Sequence, residues 1–152
     1  MRTPDFTLLF STFFYVGFFP FAPGSLASLI TLFLSVFLIQ NIFLYLILFF
    51  GVTFVGFVAS DKMEKKLNQK DPSCIVIDEV AGALVAFFLL PVKFSVLMTA
   101  FFLFRAFDMF KIYPINKLEL LSGGKGVMLD DLLAGLYTNL TIQLALRLAG
   151  MS

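Results

Sequence analysis

The sequence contains no histidine and no tryptophan, and its one cysteine, Cys74, has no partner thiol in the chain. An intramolecular disulfide is therefore excluded. Without an imidazole nearby, the thiol also lacks the usual activation of a cysteine nucleophile. The same absences argue against zinc, whose sites are built from Cys and His clusters. Charge is scarce as well: Asp, Glu, Lys and Arg make up 14% of the 152 residues and leave a net charge of +1. That balance supports no electrostatic case for an acidic protein partner, and nucleic acid is not an expected partner.

What fills the chain instead is hydrocarbon. Hydrophobic residues account for 60% of it, with 22 Phe. A soluble fold of this size would expose many of those rings in contiguous patches and would aggregate. Lipid is the expected solvent for most of the chain. The N-terminal run Met1 to Phe19 has the apolar stretch of a signal peptide, but no small-x-small cleavage site precedes a polar mature region, so the run is expected to be retained.

Punctuation divides the rest. Phe6 to Phe19 ends in Phe-Phe-Pro-Phe-Ala-Pro-Gly, which must interrupt a helix, and its length suits either a short crossing or a re-entrant helix. Ser25 to Ile39 and Ile42 to Ala59 are separated only by Gln40 and Asn41, which predicts a helical hairpin. Beyond a polar stretch with Lys62, Lys65, Lys66 and Lys70, the apolar run Cys74 to Phe104 is too long for one span of about 20 residues. Pro91 breaks it, predicting helices over Cys74 to Leu90 and Phe94 to Phe110, each about 26 Å long at ~1.5 Å per residue. A last helix is expected over Leu129 to Ala149. The predicted fold is all-α: a polytopic membrane helical bundle of about five spans plus the short N-terminal helix, forming one integral-membrane domain over residues 1–152.

Counting crossings places Pro23-Gly24-Ser25, residues 61–73 and residues 105–131 on one face. Lys62, Lys65, Lys66, Lys70, Arg105, Lys111, Lys117 and Lys125 belong to that face, whereas Lys93 and Arg147 belong to the other. The positive-inside rule then makes it cytoplasmic.

Nine of the ten acids lie from Asp61 onward, and five of them, Asp78, Glu79, Asp108, Asp130 and Asp131, abut apolar sequence at predicted helix ends. Ionisable groups near membrane depth are costly and mark functional sites by default. A hairpin at Pro91 puts Asp78 and Asp108 at the same end, each about 20 Å or more from the turn at ~1.5 Å per residue. The runs Ile77-Asp78-Glu79 and Leu129-Asp130-Asp131 also share a design. Each has a small residue, Gly82 or Ala134, four positions past its first acid, on the helix face where a neighbouring helix can approach.

Adjacent carboxylates on several helices repel one another unless a cation neutralises them, and oxygen-only ligands suit Mg²⁺. A plainer reading has acids at helix N-termini complementing the macrodipole. It covers Asp78, Glu79, Asp130 and Asp131 but fails for Asp108, near a helix C-terminus. Arg105, Asp108 and Lys111 share one side of their helix. They could form ion pairs, anchor to headgroups, or divide the work, with Asp108 on the metal and Lys111 and Arg105 on phosphate oxygens. The turn Gly123-Gly124-Lys125-Gly126 could present backbone N–H groups to an anion, although it is no Walker motif. Gly24 and Ser25 offer a similar helix N-terminus, with Ser25 as a simple N-cap in the plainer reading.

Taken together and in order, Ala22-Pro23-Gly24-Ser25-Leu26, Ile77-Asp78-Glu79 with Gly82, Phe104-Arg105 with Asp108 and Lys111, Pro114-Ile115, and Gly123-Gly124 through Asp130-Asp131 to Gly135 resemble the phosphatidylglycerophosphatase A family. That family removes the terminal phosphate of phosphatidylglycerophosphate to give phosphatidylglycerol in bacteria. The resemblance implies a phospholipid substrate, Mg²⁺ dependence, an all-helical fold and the bacterial cytoplasmic membrane. Asp71 matches the position of a further family acid. The sequence departs from the pattern D-x-x-K-P-x-P-I at Ile112, which loosens the turn after Lys111.

The expected chemistry is phosphomonoester hydrolysis. Asp78, Glu79, Asp108, Asp130 and Asp131 are the candidate metal ligands, and Lys111 and Arg105 would stabilise transition-state charge. The D-x-D signature of an aspartyl-phosphate route is absent, which favours attack by metal-activated water. A small transporter or channel is the rival from another class, and it would place acids near mid-bilayer. A headgroup transferase using CDP-activated lipid would need a D-G-x-x-A-R motif that is missing.

Overall fold

A computed structural model of the chain describes residues 5–150. The first four residues of the N-terminal run lie outside that range. The described residues form seven α-helices and no strand: α1 Phe6–Ser11, α2 Pro23–Leu38, α3 Ile42–Leu67, α4 Ile77–Phe87, α5 Phe94–Phe110, α6 Ile115–Leu118 and α7 Gly124–Leu148, with a single 3-10 turn at Val16–Phe18. The Gln40-Asn41 turn joins α2 to α3 as the polar dipeptide predicts. There the Asn41 side chain caps α3 by accepting the Leu44 N–H at 3.2 Å.

α3 runs past Ala59 to Leu67. Asp61, Lys62, Met63, Glu64, Lys65 and Lys66 carry the helix onward, most of them strong helix formers, and Asn68 ends it in the left-handed conformation at φ 49. Among the described helices α3 alone is both long and apolar enough to cross a membrane. Only 17% of its most apolar stretch is buried. A soluble protein's core helix would be mostly covered, whereas Phe43, Ile47, Phe50 and Phe54 point outward here. The protein is membrane-associated. The structure contains one such helix against the expected five or so, since α2 has 16 residues and α4 only 11.

Phe6 to Phe19 does not form one helix. Thr12 stops α1 by turning its hydroxyl back to the Leu8 carbonyl at 2.8 Å while accepting the Tyr15 N–H at 3.1 Å. Phe13, Phe14 and Tyr15 follow with φ of 46°, 55° and 69°. The segment folds against the entry to α4, where the Val76 N–H donates to the Ser11 carbonyl at 2.9 Å.

α4 ends at Phe87, short of the expected Leu90, and spans only about 17 Å at ~1.5 Å per residue. The Phe88 and Leu90 N–H groups of the following turn satisfy its Val85 and Phe87 carbonyls, and side chains of other helices meet those of Leu84, Ala86 and Phe88. The Tyr45 hydroxyl of α3 donates to the Leu84 carbonyl at 2.6 Å, and the Asn139 amide of α7 donates to those of Ala86 and Phe88 at 3.1 and 2.7 Å. Orphaned carbonyls at this depth would otherwise be costly.

α4 and α7 make the most intimate helix pair. A Cβ on Gly82 would meet the Asp131 carbonyl oxygen at 2.5 Å, and one on Gly135 would run into the Gly82 carbonyl. Ala83, Ala86, Phe87, Phe104 and Ala134 bury the adjoining surface. Gly82 therefore acts as predicted, whereas on α7 the backbone contact falls at Gly135 rather than at Ala134, one residue beyond the expected position.

Candidate active site

That contact decides what the acids can do. Asp78 and Glu79 occupy the first turn of α4. α7 begins at Gly124 rather than near Leu129, so Asp130 and Asp131 lie well inside it, beyond the first turn. Complementing the macrodipole therefore does not explain those two residues. The close approach at Gly82 carries Asp131 to Asp78 and Glu79, and one carboxylate oxygen from each of the three lies within 4.8 Å of the others.

The cluster borders a cavity of about 310 Å³ where four helices converge. Pro23 and Gly24 line it from the start of α2, Asp71 and Ser73 from the α3–α4 connection, and Arg105, Asp108 and Lys111 from the end of α5. Asp78 is 7% and Asp131 2% exposed. Asp78 Oδ1, Glu79 Oε2 and Asp131 Oδ2 are shielded from solvent and have no hydrogen-bond donor. Each of the three gathered acids thus keeps one buried oxygen without a donor, and an oxygen-only group of this kind suits a hard divalent cation.

Two cations border the cluster, and one of them reaches Glu79. Arg105 Nη1 lies 2.6 Å from Asp108 Oδ2 and 3.9 Å from Glu79 Oε1, and Arg105 Nε has no partner. Lys111 Nζ lies 3.0 Å from Asp130 Oδ2 and 2.8 Å from Glu119 Oε1. Burial alone would lower the Lys111 pKa, but the neighbouring Glu119 and Asp130 carboxylates outweigh it and hold the group above the ordinary lysine range. Lys111 caps α5 in the left-handed conformation, at φ 45, and its two ion pairs hold it although Ile112 replaces the expected proline.

The five candidate ligands thus divide. Asp78, Glu79 and Asp131 gather, while Asp108 and Asp130 each face a cation at the border. Gly24 belongs to the site for a steric reason: a Cβ there would run into Glu79 Oε1. Ser25 does not line the cavity, and the N-cap of α2 is Ala22, with Pro23 opening the helix. Gly123, Gly124 and Lys125 are also absent from the lining. A Cβ on Gly123 would run into Asp61 Oδ1, so a carboxylate of the chain itself occupies the approach that the glycine turn offers an anion. Gly123 borders instead a more open cavity of about 520 Å³ with Asp61, Glu64 and Lys65.

Of three further residues near the site only Asp71 was singled out in the sequence, and none was assigned a role there. Asp71 had a signal, the acid between Lys70 and Pro72, and its N–H donates to Glu64 Oε1 at 2.7 Å. Ser73 and Glu119 had none.

Apolar outer faces, a buried carboxylate trio and two bordering cations together describe a membrane-associated helical protein with a charged cavity where four of its helices meet. Residues 9–146 match the family model described as Phosphatidylglycerophosphatase A. The chain belongs to that family and is a lipid phosphatase. It is 38% identical, over 95% of its length and 97% of the relative's, to a Bacteroides thetaiotaomicron protein provisionally named phosphatidylinositol-3-phosphatase. It is 31% identical to the phosphatidylglycerophosphatase A of Haemophilus influenzae, over 80% of this chain and 77% of that one. No solved structure matches it significantly.

Proposed function

We propose that the protein removes the terminal phosphate of phosphatidylglycerophosphate to give phosphatidylglycerol, and that it depends on Mg²⁺ held by Asp78, Glu79 and Asp131. The observation that carries this reading is the trio of buried carboxylate oxygens without donors, set beside Arg105 and Lys111 in one cavity. A bound divalent ion supplies Lewis-acid stabilisation of a phosphoryl group. The chain's own residues do the rest. Arg105 offers its unpartnered Nε, and Lys111 an N–H beyond the two used by its carboxylates, to phosphate oxygens. Asp108 and Asp130 hold those cations in place.

In this reading the protein is a multi-pass component of the bacterial cytoplasmic membrane with its cavity on the cytoplasmic face. Lys62, Lys65 and Lys66 near the end of α3, together with Lys111, Lys117 and Lys125, support that orientation. Asp78 and Glu79 in the first turn of α4 and Asp108 near the end of α5 favour a site at one end of the bundle over a conducting path through mid-bilayer.

The deciding measurement is phosphate release by detergent-solubilised protein from phosphatidylglycerophosphate, with Mg²⁺ or with EDTA. Release from neither this lipid nor any other phosphomonoester lipid, or release indifferent to EDTA, refutes the proposal. The Bacteroides relative's name motivates one alternative substrate, phosphatidylinositol 3-phosphate, assayed in parallel. A higher kcat/KM for it would replace the substrate while keeping the site.

A further inference from the structure

We infer that Glu119 is a positioning residue of this phosphatase, aiming the Lys111 ammonium so that one N–H stays free for the substrate's phosphate. The inference rests on the reading that Lys111 binds that phosphate.

A lysine side chain is long and rotatable, and Lys111 leaves the chain from a helix cap rather than from a helix face. One carboxylate would tether its ammonium without fixing its direction. Two carboxylates on different elements do more: Asp130 Oδ2 on α7 lies 3.0 Å from Nζ, and Glu119 Oε1 lies 2.8 Å from it. An ammonium has three N–H donors and no acceptor, so two fixed partners leave one donor in a defined direction.

Glu119 can serve this purpose only if its own backbone is held, and it is. α6 is anchored by Ile115, which is fully buried. The Glu119 N–H donates to the Ile115 carbonyl at 3.2 Å. On the other side, a Cβ on Gly126 would press on the carbonyls of Leu121 and Glu119, so the turn sits directly on the first turn of α7. A surface ion pair of ordinary kind contributes little to stability, and the Glu119 side chain is 41% exposed. Its effect is therefore expected on catalysis rather than on folding. Glu119 does not line the cavity and does not belong to the carboxylate trio.

The test is a double-substitution cycle on the full chain in detergent, with phosphatidylglycerophosphate as substrate and Glu119→Gln, Lys111→Met and the pair as variants. Lys111→Met is expected to lower kcat/KM about 10²-fold or more, the scale of a lost donor to transition-state charge. Glu119→Gln alone is expected to lower it about tenfold, one charge-assisted hydrogen bond's worth of aim, with an unchanged melting temperature. Glu119→Asp should recover part of that loss. In the Lys111→Met background Glu119→Gln should change the rate less than about twofold, because its target is gone. An equal loss in both backgrounds, or no loss from Glu119→Gln in the natural background, overturns the positioning role alone. Full activity of Lys111→Met overturns the phosphate-binding reading of that lysine and the inference with it.

Discussion

Replacing Gly82 by Ala adds one methyl group at the place where α4 and α7 touch. The new Cβ would lie 2.5 Å from the Asp131 carbonyl oxygen and 2.9 Å from Phe104 Cε2, against ordinary contact at 3.4 Å and beyond. The first of these neighbours is backbone, so relief requires the helices to separate by nearly 1 Å. Overpacking of this kind costs about 1–3 kcal/mol, offset by the roughly 0.5–1 kcal/mol that Ala gains over Gly inside a helix. The effect on activity should be larger than the effect on folding. Asp131 moves with its own carbonyl, away from Asp78 and Glu79, and a misplacement near 1 Å can cost about 10²-fold in rate. Initial rates of phosphate release across a Mg²⁺ titration, beside melting temperatures in the same detergent, separate the two. The expected result is a rate loss near two orders of magnitude, a higher Mg²⁺ midpoint and a small shift in melting. Gly51→Ala is the control, since nothing lies within 4 Å of the added atom, and it should be neutral or slightly stabilising. Natural rates and an unchanged Mg²⁺ midpoint in Gly82→Ala would refute the coupling of the helix contact to the carboxylate trio. A rate loss that merely tracks the unfolded fraction would refute it equally.

Asn139→Ala strips the donor from the carbonyls of Ala86 and Phe88, and should lower stability by about 1–3 kcal/mol. Unfolding in detergent reads this, and an unchanged midpoint counts against the capping role. Asp131→Asn keeps the shape of a trio member but removes its charge, so Mg²⁺ should raise the melting temperature of the natural protein and raise it far less in the variant. Equal shifts would mean that the ion, if bound, sits elsewhere. Lys111 should stay an ammonium beyond its ordinary 10.5, because its partners raise its pKa. With its carboxylate partners ionised, its ion pairs are thus complete below that pH and are lost as pH rises through the raised value. An alkaline decline in rate below about pH 10 should therefore persist in Lys111→Arg, and its disappearance in that variant would contradict the assignment.

Much of this site could be read from residue order because it depends on periodicity and small side chains. Pro91 separates α4 from α5, and α5 occupies Phe94–Phe110 as predicted. Gly82 and Gly135 permit the approach that gathers Asp78, Glu79 and Asp131. What was hidden depends on partners distant in sequence. Hydropathy ends α3 at Ala59, yet the charged residues that follow are good helix formers and carry it to Leu67. Nothing near Phe87 announces that α4 stops there, since the Leu84 and Ala86 carbonyls are met by Tyr45 and Asn139 from other helices. The glycine turn before α7 reads as an anion site, and only the position of Asp61 on α3 shows that a carboxylate of the chain lies against it. Likewise, the division between acids that gather and acids that face cations follows from side-chain reach. Linear spacing groups Asp108 with the trio, whereas Arg105 and Lys111 draw Asp108 and Asp130 to the border.

The hydrogen bonds that Tyr45 and Asn139 make to the end of α4 have a mechanical side. A short helix pinned at one end by two different neighbours cannot revolve about its own axis without breaking one of the pins. Each residue turns the helix by ~100°, so even a small revolution would swing the first-turn acids off their bearing. The compass heading of Asp78 and Glu79 is therefore held from the opposite end of the bundle, by contacts that never touch the cavity.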